Sequence, residues 1–226
     1  ETNNYGIREN LLKYDEVNNE QREVVYAERR QVLDGENMRE VIMKMLNDIV
    51  EGAVDMSVSD EQTPENWGFK ELNDLLLPII PLKPIELTEE IKKMNKDEFK
   101  HMLKELATKF YESKEAEFPD AEQVREIERV VLLKVIDNKW MSHIDDMDQL
   151  REGIGLQAYG NRDPLVEYKM SAYEMFDDMT AAIREDTLRI LCHIRVEEKV
   201  EREPAAKVTG TNRDDSAAKA PQRRQT

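Results

Sequence analysis

The chain has 226 residues, 39% of them hydrophobic and 36% charged, and a net charge of −16. A membrane-spanning protein is excluded: the longest apolar run, Leu75-Leu76-Leu77-Pro78-Ile79-Ile80-Pro81-Leu82, falls well short of the roughly 18–20 residues a bilayer needs and is broken by prolines. Residues 199–226 hold 7 Lys/Arg against 4 Asp/Glu, which leaves 26 against 45 elsewhere, and so acidic a body argues against nucleic acid as a partner.

With no initiator methionine and no charged-then-apolar leader, Glu1 reads as a cut within a longer chain. From Ile7 to Leu33 no Gly or Pro intervenes, and Ile7, Leu11, Tyr14, Val17, Val24, Val25 and Val32 recur at helical steps. This predicts a helix of about 25 residues, roughly 40 Å long, whose narrow apolar stripe suits a strut for other elements. Asp34-Gly35-Glu36-Asn37 breaks it. A second helix follows, with Met38, Val41, Ile42, Met45, Leu46, Ile49, Val50 and Ala53 on one face. Residues 55–66 are a polar loop ending in Thr-Pro-Glu-Asn, Trp67 to Leu77 is a short apolar helix, and Pro78, Pro81 and Pro84 enforce extended chain. Thr88-Glu89-Glu90 opens another helix with an N-cap and early acids. Lys96-Asp97 starts a further one, carrying Phe99, Met102, Leu103, Leu106, Phe110 and Tyr111.

After Phe118-Pro119-Asp120 the pattern is very regular. Leu132, Ile136, Trp140, His143 with its neighbour Ile144, Met147, Leu150 and Ile154 mark out steps of three or four residues. Pro164 stands where a second helix would begin. Val166, Tyr173, Thr180, Thr187 and Ile194 then recur every seven residues, interleaved with Phe176, Ile183 and Ile190. Two such stripes predict a helical hairpin with arms of roughly 45–50 Å, joined by the loop Gly155 to Asp163, with Tyr159 near its tip. Cys192, the single cysteine, lies in a Leu-Cys-His-Ile run and reads as a small packing residue in a reducing compartment. Residues 198–226 lose periodicity and read as a disordered tail or linker. The expected fold class is therefore all-α, divided as 1–37, a long helix; 38–118, a small inserted helical subdomain; 119–197, the two-helix hairpin; and 198–226, the tail.

Catalytic chemistry finds little support. Gly153-Ile154-Gly155 with Gly160 lacks the spacing and the preceding strand of a dinucleotide loop, no Gly-Lys-Ser/Thr follows, and glycines ending a helix explain it better. Glu98 and His101 form one Glu-x-x-His pair, whereas a carboxylate-bridged di-iron bundle needs two such pairs and two further glutamates. Asp145-Asp146-Met147-Asp148 lacks the glycine and later glutamate of a calcium loop and reads as a solvated helix face. Trp140 lies in the apolar stripe and reads as core. Tyr159 lies beyond the last packed turn, where an aromatic either staples its own loop or touches a partner; contact is the preferred reading. Composition and periodicity alone fit a stand-alone helical adaptor, binding partner helices by its stripes, equally well.

Ile7-Arg8-Glu9-Asn10-Leu11-Leu12-Lys13-Tyr14-Asp15-Glu16-Val17 with Gln21-Arg22 resembles the start of the long scaffold helix of the SecA family of preprotein translocase ATPases. The run from Asp137 and Trp140 through His143, Met147-Asp148, Leu150-Arg151, Gly153-Ile154, Leu156, Tyr159, Asp163-Pro164, Glu167-Tyr168-Lys169 and Phe176 resembles that family's two-helix finger. Residues 38–118 match its more variable helical wing by position and helix content. The resemblance implies that Tyr159, flanked by Gln157, Ala158, Gly160, Asn161 and Arg162, is a fingertip contacting preprotein and channel. It implies as partners the SecY channel complex, unfolded preprotein, the N-terminal motor domains of the same protein and, peripherally, the inner face of the bacterial plasma membrane from the cytoplasmic side. It also implies that the ATP-binding motifs lie N-terminal to Glu1. The chain alone is then not expected to be an enzyme, no metal or cofactor is expected in it, and ATP and magnesium belong to the absent motor domains. Gln157 stands where the family commonly has arginine, so the charge that arginine would offer the channel is missing at that position; Asn161 stands where glutamine is usual and Ser171 where glutamate is usual.

Overall fold

The computed structural model describes residues 2–35, 37–157 and 163–195; among these lie six α-helices, two single 3-10 turns and no strand. The first helix, α1, covers Thr2–Leu33. Its inward face is Val17, Gln21, Val25 and Val32. Val24 is half exposed, which corrects the expectation that it shares the stripe with Val25. Successive residues point about 100° apart on a helix, so a narrow stripe takes only one of the pair. The expected stripe positions Ile7 and Leu11 lie outside the described side chains. The helix closes through the Asp34 N–H on the Arg30 carbonyl at 2.8 Å, and Gly35 follows with φ of +90°, a conformation that costs glycine little.

α2 covers Met38–Ser57, α3 Phe69–Leu76 and α4 Lys96–Glu115. The inner face of α2 (Ile42, Leu46, Val50, Ala53 and Val54) meets Leu72 and Leu76 of α3 and Phe99, Leu103 and Ala107 of α4. Gly68, which caps α3, lies so close to the end of α2 that an added Cβ would stand 2.8 Å from the Ser57 carbonyl oxygen. The proline-bearing stretch after α3 is held extended by Asn73, whose carboxamide both donates to and accepts from Ile85 backbone at 2.8 Å. Thr88 does not open a full helix. It caps only a 3-10 turn, Ile91–Lys93, accepting from Ile91 N at 3.2 Å. The reason lies just downstream: Asn95 and Glu98 form a reciprocal capping box that starts α4 at Lys96, leaving no room for another helix before it.

The last two helices form the arms of the hairpin. α5 covers Ala121–Gln157 and α6 covers Pro164–His193, about 55 and 45 Å respectively. α5 runs two residues beyond Gly155, further than the expected loop boundary. The arms are antiparallel, and three apolar clusters follow one another along them. Nearest the turn, Met147, Ile154, Tyr168 and Ala172 enclose Val17. In the middle, Leu132, Ile136, Trp140, Met179 and Ile183 pack on Val25, Val32 and Met38. At the far end, Leu188, Leu191 and Cys192 join the α2–α4 core. Burial pushes the Cys192 thiol up to about 12, which fits its reading as a packing residue.

The face of α6 differs from expectation. Val166, Tyr173 and Ile190 are half exposed, while Tyr168, Ala172, Met179, Ile183, Thr187, Leu188, Leu191 and Cys192 are buried. α6 is covered by α5 on one side, by α1 near its start and by α2 further on, so its buried surface shifts around the helix along its length. A strict seven-residue repeat traces a single face and misses that rotation. Ile144 likewise lies outside the packed stripe of α5.

Candidate functional site

The distinctive construction is a hairpin braced by a third helix. Lys139 of α5 and Asp186 of α6 pair at 2.6 Å across the arms. α1 then lies along both arms and is tied to each. Towards the turn, Arg151 of α5 reaches Asp15 at 3.6 Å, and Tyr168 of α6 donates to Asn18 at 3.1 Å. The Tyr168 ring also meets Tyr14 edge-on, with centroids 4.7 Å apart. Further along, Arg29 pairs with Asp137 at 2.9 Å, and Arg129 donates to the Val32 carbonyl at 3.2 Å. Exposed ion pairs of this kind contribute little stability, about 0–1 kcal/mol each, so the apolar clusters hold the brace and the polar contacts direct it.

The middle of the brace is polar and buried. Gln21, 3% exposed, donates from Nε2 to the Ala172 carbonyl at 2.9 Å, and its Oε1 lies 2.8 Å from Nε2 of His143. His143, also 3% exposed, sits between Trp140 and Phe176, with ring centroids 5.6 and 5.8 Å away. Burial lowers its pKa, partly opposed by Asp146. The folded state therefore resists protonating His143. Its contribution to stability is present above the unfolded histidine value of about 6.5 and is lost as pH falls below that value towards the lower folded one. Urea unfolding from pH 7.5 down to 5.5 is expected to show a steeper loss of stability in the parent chain than in His143→Gln; parallel curves would contradict this. The comparison is needed because Glu128 acts oppositely: burial raises its carboxyl pKa, so its ionised form costs stability as pH rises.

A second buried polar centre joins α4 to α5. Glu128 of α5 is fully buried, accepts from Tyr111 of α4 at 2.5 Å, and takes both oxygens to Nη1 of Arg125 at 2.8 and 2.7 Å. Arg125 also pairs with Glu115. Arg39, in the first turn of α2, reaches Glu112 at 2.8 Å and Glu115 at 3.5 Å. Lys114 donates to the Ile194 carbonyl at 3.3 Å, so α4 also holds the end of α6.

Of the expected tip residues, Gln157 is the last residue of α5, and Ala158, Tyr159, Gly160, Asn161 and Arg162 lie outside the described residues. Beyond them Asp163 caps α6, its carboxylate accepting from Leu165 N at 2.9 Å, with Pro164 in the first turn. Trp140 is core, 8% exposed, as its place in the stripe predicted. His101 is 77% exposed in its side chain and pairs with Glu105, one turn on, rather than with Glu98, which is engaged in the capping box. Gln21 entered the sequence reading only as part of the family resemblance and Glu128 not at all, although a signal of burial existed for both. Gln21 stands four residues from both Val17 and Val25, and Glu128 four from both Val124 and Leu132, all four of which are buried.

A long helix bracing a two-helix arm, with a small helical subdomain keyed to the base of that arm by buried charge, is the architecture of a helical scaffold. Residues 1–195 match the family model described as the SecA wing and scaffold domain. The chain belongs to that family. It is 65% identical over 227 residues to a protein translocase subunit SecA from Lachnoclostridium phytofermentans, covering 100% of this chain and 26% of that protein. Subunits of the same description from Finegoldia magna and Carboxydothermus hydrogenoformans are 46% and 42% identical, over 92% and 100% of this chain and 23% and 26% of their own lengths. The chain thus spans about a quarter of the curated relatives it matches. No described helix is long and apolar enough to cross a membrane.

Proposed function

We propose that the chain is the scaffold-and-wing part of a SecA-type motor subunit and couples ATP-driven movement to a preprotein entering the SecY channel. The observation that carries this reading is the brace: α1 is bonded to both arms from Asp15 to Val32, so a push on α1 reaches the hairpin as a whole. In this reading the N-terminal motor domains of the same protein hold ATP and magnesium and move α1. Residues 38–118 form the wing, 119–197 the finger and 198–226 a tail. The protein works in the cytoplasm, peripherally attached to the inner face of the plasma membrane.

Tyr159 is then the residue that meets the translocating chain, with Gln157, Ala158, Gly160, Asn161 and Arg162 around it. An aromatic ring suits a substrate of any sequence, because dispersion and stacking on backbone require no particular side chain. In the full-length protein, Tyr159→Ala is expected to lower preprotein translocation by about tenfold, the loss typical of an aromatic anchor, with an unchanged melting temperature. Translocation at the parental rate would remove Tyr159 from the mechanism.

A further inference from the structure

Among the described residues Gln21 is the only buried polar side chain of α1. It lies in the middle of the stretch of α1 that packs between the arms, and its carboxamide is used at both ends: donating to Ala172 of α6 and, at Oε1, accepting from His143 of α5. An amide oxygen only accepts, so the His143 proton on this contact sits on Nε2. On α1 the neighbouring inward positions are apolar, Val17 one turn before and Val25 one turn after, and they face Met147, Tyr168, Ala172 and Trp140 on the arms. Apolar contact is non-directional and tolerates sliding. A hydrogen bond does not, since it weakens steeply beyond about 3.2 Å or away from linearity. If α1 slipped by one turn, about 5.4 Å, valine would still meet apolar surface, but the carboxamide and the imidazole N–H would be buried without partners. Fully buried Ala172 adds to the selectivity, because its small side chain lets the carboxamide reach the backbone of α6.

We propose that Gln21 is a positioning residue that fixes the register of α1 against both arms, so that a displacement of α1 carries the two arms together as one body. The proposal rests on the reading of the hairpin as a force-carrying arm. It assigns to a buried amide what the exposed pairs at Asp15 and Arg29 cannot secure, because those side chains are long and solvated and follow a sliding helix.

Gln21→Met keeps the volume and removes both hydrogen bonds, while Gln21→Glu keeps an acceptor for His143 and places a negative charge beside it. The test uses the full-length protein with spin labels at exposed positions, Glu23→Cys paired with Asp145→Cys for α1 to α5 and Glu23→Cys paired with Glu174→Cys for α1 to α6. One narrow distance is expected in each pair for the parent. In Gln21→Met each distribution is expected to broaden or to gain a second distance displaced by about one helical turn. The titration of His143, followed by NMR, is expected to move to higher pH in Gln21→Glu, a change that simple loss of packing would not produce. Narrow, unshifted distances in Gln21→Met overturn the assignment, even if that variant melts at lower temperature. The same protein is assayed for ATP hydrolysed per preprotein translocated, which is expected to rise by about threefold in Gln21→Met with an undiminished hydrolysis rate. Broadened distances with an unchanged ratio would overturn the coupling reading and leave the register assignment standing.

Discussion

Replacing Glu128 by alanine is expected to destabilise the chain by about 3–5 kcal/mol, the usual cost of removing one partner from a buried charged pair. The carboxylate is fully buried and accepts from both Tyr111 and Arg125, so its loss leaves a phenol and part of a guanidinium facing a void. Desolvation raises the Glu128 pKa despite these partners, so the intact group contributes little net stability. The large effect comes from what its removal strands. Glu128→Gln keeps the shape and an acceptor, and a smaller loss of about 1–3 kcal/mol is expected. Urea denaturation of both variants decides the matter: a Glu128→Ala chain within about 1 kcal/mol of the parent would show that water replaces the carboxylate at little cost. The same carboxylate keys α4 to α5, so the alanine variant is also expected to expose the α2–α4 layer to proteolysis before the hairpin.

Trp140→Ala is expected to cost about 3–5 kcal/mol, the range for deleting a large buried aromatic side chain. The indole packs with Val25, Val32, Ile136 and Ile183 and lies beside His143. Its loss opens the middle cluster, where four helices meet, and the side chains that remain there fill the space only in part. One part of the ring borders an open groove with Tyr26, Arg29 and Met141, which allows some relaxation and favours the lower half of the range. A melting temperature equal to the parent's would mean that the groove, not the core, receives the indole.

The hairpin was legible because nothing interrupts the three-and-four spacing of Leu132 to Ile154 and because Asp163-Pro164 announces the start of α6 chemically. The facing of α6 was not, since periodicity reports a single face and this helix has neighbours on several sides. Thr88 illustrates a contest between two caps, which spacing cannot adjudicate; the Asn95–Glu98 box prevails by satisfying two donors at once. The polar centres escaped for another reason. Pattern reading sets polar residues aside, and what gives Gln21 its place is Ala172, 151 positions away, a pairing no local window contains. Glu128 similarly gains its meaning from Tyr111 on another helix. The resemblance to the SecA family carried the assignment where residue chemistry ended: composition and periodicity fitted an adaptor as well, and the family match over residues 1–195 is what sets that adaptor aside.

The central claim is that the end of the hairpin touches the chain being moved. The most direct measurement places a photo-activatable phenylalanine analogue at Tyr159 of the full-length protein, with a second at the exposed Met56 of α2 as control, and irradiates a preprotein arrested in transit. The account predicts an adduct between preprotein and position 159 that requires ATP, and none from position 56. Adducts from position 56 alone, or none from 159 in an actively translocating preparation, would contradict it.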